Sequence, residues 1–309
     1  MFAGGLGQAP AKLHHPSDDE AEFSPLRKGG RSRFGCTVRS SGQNNRGSDF
    51  LMLDVVYGEA SEVGRVWPNN ADAAAAFLPR SGQEIRSRGW MFAVADGRGG
   101  TELGELASSR AVEAMVEGFA RAAEGESLDS LMPRLIQDAN SAVHDEGLSL
   151  EHRGRRPAAT LVSCALRGTM AVVAHVGDSR CYHVRDRQTT LLTQDHTVAA
   201  EQHNAGAMTA TQAEHSEERH VLTRTLGSGL LVISDTVSAS LIAGDVLVLC
   251  TDGLYKAIYP EDIARIVSQQ KNPADLATEL VSYAVQADGS DNTTAQVIRI
   301  RAIDPFISK

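Results

Sequence analysis

The sequence predicts an α+β fold in which two stacked, mainly antiparallel sheets each carry a helix pair on the outside. Two observations predict it, and a third points to a site. The elements run as strands, two helices, many strands, two helices and one strand, a segregated order unlike a regular βαβ winding. The strands are apolar along their whole length, as in "WMFAVADG" and "DVLVLCTD", so both faces of each need cover. Several of these runs deliver an aspartate at or just past their end.

Taken in order, residues 1–33 contain Pro, Gly and alternating charges with little to bury, and read as a disordered tail. Structure is expected from Phe34, with "FGCTV" and "DFLMLDVVYG" as strands around a polar turn. Residues 58–89 show no sustained period and read as a long loop insertion with a short Ala-rich helical turn. Leu103, Ala107, Ala111, Met115 and Phe119 recur four apart, one face of a helix capped by Thr101. Leu128, Leu131, Leu135, Ala139 and Ala142 mark a second helix, closed by Gly147. Strands follow in "ATLVSCALRG", "TMAVVAHVGD" and "RCYHVRD", then, after a polar flap, in "DTVSASLI" and "DVLVLCTD". Pro260 and the Asn272-Pro273 pair start two late helices, and "TTAQVIRIRAI" is the final strand. The domain is expected to span 34–303, with 304–309 as a C-terminal tail.

Composition narrows the function. The 309 residues carry 30 basic and 39 acidic side chains, a net charge of -9. That balance argues against nucleic acid or an anionic membrane as the main partner, because both require basic surface. Only 5% of residues are aromatic, so the core must rest on Val, Leu, Ile and Ala. Cys36, Cys164, Cys181 and Cys250 form no CxxC pair, and three of them lie in apolar runs where a buried reduced thiol is expected. No signal-peptide core or membrane span is legible, which points to the cytoplasm.

The Asp-bearing strand ends are the candidate site. Asp96-Gly97, Asp252-Gly253, Asp178 and the "GSDN" of residues 289–292 share one form. A carboxylate at a strand end is held rigidly yet reachable, and a following Gly lets backbone approach a ligand. A single Asp-Gly is usually only a turn; four in this order argue for a shared site. Gathered carboxylates call for a hard divalent cation with oxygen ligands, Mg²⁺ or Mn²⁺, and the absence of His and Cys at these ends fits zinc poorly. The "GRGG" cluster fits neither dinucleotide nor P-loop spacing.

With those segments in view, residues from about Phe34 to Ile303 resemble the metal-dependent protein phosphatases of type 2C (PPM), in their compact bacterial branch. The matching stretches include "FAVADGRGGTELGELAS", "AHVGDSRCYHVRDRQTTLLTQDHTVAAE", "HVLTRTLGSG", "AGDVLVLCTDGLYKAI" and "GSDNTTAQVIRI". The resemblance implies a four-layer αββα sandwich with a binuclear Mn²⁺ or Mg²⁺ centre. It implies that Asp96 bridges both ions, the Gly97 carbonyl binds the second, Asp252 and Asp291 bind the first, and Asp178 helps hold a third. The stretch from Asp195 to Ala213 corresponds to the flap beside the cleft. Such enzymes hydrolyse phosphoserine and phosphothreonine with a metal-bridging water as nucleophile, opposing a Ser/Thr kinase. A monomer is expected.

The family's first motif, R-x-x-N-E-D, is sought in "GQNNRGSDFLML". There Asp49 supplies one acid, with either Ser48 or Phe50 replacing the other, and Arg46 stands nearest the phosphate-binding Arg. "PAAT" at 157–160 replaces a Gly-Thr-Thr. The missing acid leaves a second reading open, a pseudophosphatase that binds a phosphoprotein or kinase without turnover. His196 reads as a packing or turn residue rather than an acid catalyst, Arg98 stands at a variable position of the family where a phosphate contact is weighed but not assigned, and Asp186 and Asp304 read as surface charges.

Overall fold

The computed structural model describes residues 51–98, 102–149 and 156–305. The expected tail, the "FGCTV" strand, Arg46, Asp49, Cys36 and Thr101 lie outside them. The chain runs through β1 (Leu51–Glu62), β2 (Asp72–Phe77), α1 (Gly82–Ser87), β3 (Trp90–Arg98), α2 (Glu102–Arg121) and α3 (Leu128–Ser149). There follow β4 (Ala158–Arg167), β5 (Met170–Val176), β6 (Arg180–Arg185) and β7 (Gln188–Leu191). Next come α4 (Val198–Asn204), α5 (Ala210–His215), a 3₁₀ turn (Glu217–His220), β8 (Asp235–Ser240) and β9 (Val246–Cys250). The last elements are α6 (Asp252–Tyr255), α7 (Pro260–Val267), α8 (Pro273–Ala287) and β10 (Thr293–Pro305).

Two five-stranded sheets result, ordered β1-β10-β9-β6-β7 and β2-β3-β4-β5-β8. Every strand pair is antiparallel. Strand alternation explains the continuous apolar runs. Phe92, Val94, Val162 and Leu166 turn inward to meet Leu247, Leu249 and Ile298 of the other sheet. The intervening Met91, Ala93 and Ala95 turn outward onto Met115 and Phe119 of α2 and Leu135 of α3. Val248 and Val297 likewise back onto Leu276 and Leu280 of α8. The expected α+β sandwich, helix pair on sheet on sheet on helix pair, is the observed fold.

Three local expectations need correction. Residues 58–89 are not a loop: β1 continues to Glu62, β2 is a full strand in register with β3, and α1 is capped by the Ser81 side chain. The four consecutive alanines of β2 hide the two-residue period, since small residues on both faces give no hydropathy contrast. α3 runs past Gly147, whose missing side chain makes room for Pro157; a Cβ there would lie 2.8 Å from its Cδ. Asp304 and Pro305 end β10 rather than starting a tail.

Candidate metal centre

Strands from both sheets deliver acids to one edge of the sandwich. Asp96 lies near the end of β3, directly paired with Asp72 on β2 and Thr160 on β4. Asp252 follows β9 as the first residue of α6, Asp178 lies in the turn between β5 and β6, and Asp291 precedes β10. One carboxylate oxygen each from Asp96, Asp178 and Asp252 lies within 4.8 Å of the others, and all three residues are buried.

The backbone around them is fixed by close approaches and side-chain ties. A Cβ on Gly97 would meet the Gly104 carbonyl oxygen at 2.0 Å, so the β3 end can rest directly on the first turn of α2. Asn292 holds the segment before β2 in place. Its Oδ1 accepts from Ala71 N (2.8 Å), and its Nδ2 donates to the Val63 (2.8 Å) and Asn69 (3.2 Å) carbonyls. Thr251 Oγ1 donates to Asp72 Oδ2 at 2.8 Å and accepts from Thr294 N at 3.0 Å. The Asp178 turn is clamped by His196, whose Nδ1 accepts from Gly177 N (3.1 Å) and whose own N donates to the Gly177 carbonyl (3.0 Å). Thr160 and Ser179 hydroxyls bond across the same turn at 2.7 Å.

Electrostatically the cluster asks for positive charge. Burial, then the charges of Asp252 and Asp72, pushes the Asp96 carboxyl well above the usual range. Burial raises Asp72 to about 7, with Asp252 and Asp291 adding to it against hydrogen bonds from Thr294 and Thr251. Asp178 is raised to about 6, again by burial first and then by Asp252. Asp291 is raised for the same two reasons. Among the described residues, both carboxylate oxygens of Asp178 and the Oδ1 of Asp72 are buried without a hydrogen-bond partner. Orphaned buried oxygens of this kind fit a hard divalent cation, and an all-oxygen donor set fits Mg²⁺ or Mn²⁺ rather than zinc. Two cationic side chains approach: Lys256 Nζ lies 2.5 Å from Asp252 Oδ2, and Arg98 Nη1 lies 3.7 Å from Asp96 Oδ2 and 4.0 Å from Asp252 Oδ2.

Asp96, Asp178 and Asp252 therefore meet as the sequence suggested, with Asp291 at the rim. Gly97 follows Asp96, its carbonyl lying against Gly104. Asp49 and Arg46 fall outside the described residues. Leu51, two residues after Asp49, pairs with Pro305, whereas the other end of β1, Glu62, pairs with Thr293 beside Asp291. The acid that faces Asp96 is Asp72, which sequence reasoning missed. A signal was present: Asn70-Ala71-Asp72 fits the N-E-D of the first motif, with Ala71 where Glu is expected and Trp67 at the Arg position. His196 does not enter the cluster. It is buried and stacked on His175 at 4.7 Å, with Arg224 Nη1 3.2 Å from its Nε2 and 2.8 Å from Asp235. The His196 Nε2 also lies 3.3 Å from Asp235 Oδ2, so His196, Asp235 and Arg224 tie to one another apart from the aspartate cluster.

Comparison with known proteins agrees with this geometry. Residues 72–282 match the protein phosphatase 2C family. The protein phosphatase PhpP of Streptococcus pneumoniae is 28% identical over 250 residues, covering 79% of this chain and 97% of PhpP. The serine/threonine phosphatase of S. agalactiae superposes with a TM-score of 0.72 at 28% identity, covering 80% of this chain and all of that one. The catalytic domain of the serine/threonine protein phosphatase PstP, solved with two manganese ions, gives 0.67 at 27% identity over 81% of this chain and 99% of that one. A two-sheet sandwich with convergent aspartates at one edge is the frame of a metal-dependent phosphatase. The chain belongs to the protein phosphatase 2C family and is a protein phosphatase.

Proposed function

We propose that the protein hydrolyses phosphoserine and phosphothreonine in protein substrates at a centre of two divalent cations, Mn²⁺ or Mg²⁺. Asp72, Asp96, Asp252 and Asp291 would hold them, with the Gly97 carbonyl as a further donor and Asp178 serving a third ion. The observation that carries this reading is the convergence of buried carboxylates with unpartnered oxygens at one edge of the two sheets. Bound cations would supply the Lewis acidity that activates water and neutralises the phosphoryl oxygens. The chain's own part is positional. Rigid strand ends fix the carboxylates, the Thr251 hydroxyl orients Asp72, and the His196 clamp orients the Asp178 turn. The protein would act in the cytoplasm, as a monomer, against a partner Ser/Thr kinase.

Hydrolysis of p-nitrophenyl phosphate and of a phosphothreonine peptide, with Mn²⁺ and with chelator, tests the reading. Turnover with Mn²⁺ that chelator abolishes is expected. Phosphopeptide binding without turnover at any metal concentration would overturn it in favour of a pseudophosphatase, the outcome that Ala71 at the Glu position favours.

A further inference from the structure

The mouth of the carboxylate cluster carries a guanidinium whose donors are largely uncommitted among the described residues. Arg98 ends β3, two residues beyond Asp96, with its backbone paired to Ala158 of β4. Its Nη1 stands 3.7 Å from Asp96 Oδ2 and 4.0 Å from Asp252 Oδ2. Those distances are within reach of the charges and beyond hydrogen-bond length. Among the described residues its one hydrogen bond is long, from Nη2 to the His220 carbonyl at 3.4 Å. The side chain is 32% exposed, so it faces both the cluster and solvent. The acids that act on it are Asp96, Asp178, Asp252 and Asp291. Lys256, the other cation here, is already engaged, with Nζ 2.5 Å from the Asp252 of its own helical turn.

We propose that Arg98 binds the phosphoryl group of the substrate at this mouth, a role that rests on the phosphatase reading above. A guanidinium presents five donors in a planar fork that matches a phosphoryl oxyanion, and it stays charged at any working pH. Cations seated among the carboxylates would cancel much of the attraction that now holds Arg98 toward Asp96 and Asp252. An entering phosphoryl oxyanion then becomes its natural partner. Because the Cα is pinned at a paired strand end, the fork swings from a fixed point beside the cluster. The rival role is plain charge neutralisation, in which Arg98 only offsets the acids around it.

The two roles separate in binding measurements on the full chain. Wild type, Arg98→Ala and Arg98→Lys are titrated with inorganic phosphate at saturating Mn²⁺, and with Mn²⁺ alone, by calorimetry. KM for p-nitrophenyl phosphate is measured in parallel. The expected result is phosphate binding weaker by roughly tenfold to hundredfold in Arg98→Ala. KM should rise with it, Arg98→Lys should recover part, and Mn²⁺ affinity should be unchanged or tighter. Unchanged phosphate affinity in the variants would overturn the proposal, and tighter Mn²⁺ beside it would leave charge neutralisation as the role. Should Arg98→Ala fail to fold, Arg98→Lys carries the same comparison, because a point charge cannot reproduce the fork. If wild type shows no turnover, the phosphate titration still decides the role of Arg98 while the phosphatase reading falls.

Discussion

Asp72 and Asp96 are directly paired residues of adjacent antiparallel strands, so two carboxylates share one face at the edge of a sheet. Like charges placed so destabilise a sheet unless a cation intervenes. Thr251 bonds one oxygen of Asp72, and its other oxygen has no hydrogen-bond partner among the described residues. Asp72→Asn keeps an acceptor for Thr251 while removing the charge. In EDTA at neutral pH the variant should be more stable than wild type, by roughly 1–3 kcal/mol in urea unfolding. With Mn²⁺ the order should reverse, because the variant loses a ligand and with it the stabilisation that binding confers. Equal Mn²⁺ stabilisation of both proteins would remove Asp72 from the centre.

Ala71 precedes Asp72 where the first motif of the family has Glu. Its backbone is already fixed, with N on Asn292 Oδ1 and O accepting from Gly97 N, so a longer side chain there starts from a rigid point. Ala71→Glu adds a carboxylate to a site short of one. The Mn²⁺ concentration giving half-maximal hydrolysis should fall by roughly tenfold, equivalent to about 1.4 kcal/mol of binding. An unchanged metal titration would mean that the added carboxylate does not reach the ions.

The sandwich was legible because its central strands are apolar on both faces while the elements come in segregated order rather than alternating with helices. Asp96, Asp178 and Asp252 were legible because each closes such a run. Asp72 was not, since it opens a strand of alanines whose faces cannot be told apart by hydropathy. Trp67 and Ala71 compounded this, because they replace the two residues that make the motif conspicuous, while "RGSDF" upstream carries both an Arg and an Asp. The engagement of Lys256 with Asp252 could be read only from the geometry of a one-turn helix, which sets the two four residues apart on one face.

Lys256 competes with metal for Asp252. Its ammonium lies 2.5 Å from Oδ2, and Asp252 is buried, so seating a cation there requires moving a well-placed positive charge. Lys256→Ala should tighten Mn²⁺ binding measured by calorimetry, by roughly threefold to tenfold. In EDTA the same variant should be less stable than wild type, having left a buried carboxylate with less compensation. Weaker Mn²⁺ binding in the variant would show instead that Lys256 supports the loaded site.

The pH dependence of the metal-free protein follows from the raised carboxyls. Asp178 titrates at about 6 in the folded protein, against 3.8 for a free side chain. Between those values the folded state holds a proton that the unfolded chain has lost, so stability falls as pH rises through the window. His196 has the opposite sign. Lowered to about 4, chiefly by burial, it stays neutral while the unfolded imidazole charges below 6.5, so its contribution is present above that value and lost toward 4. The two effects overlap, and a difference measurement isolates the first. In EDTA, wild type and Asp178→Asn should be nearly equal in urea unfolding at pH 4. The variant should become the more stable above pH 6, by on the order of 1–3 kcal/mol. Mn²⁺ replaces the proton, so wild-type affinity should climb through pH 6 to 7 as Asp178 and Asp72 ionise, and the climb should be shallower in Asp178→Asn. A stability difference that does not change between pH 4 and 8 would mean that Asp178 is already ionised in the folded protein, with its charge met by the chain itself.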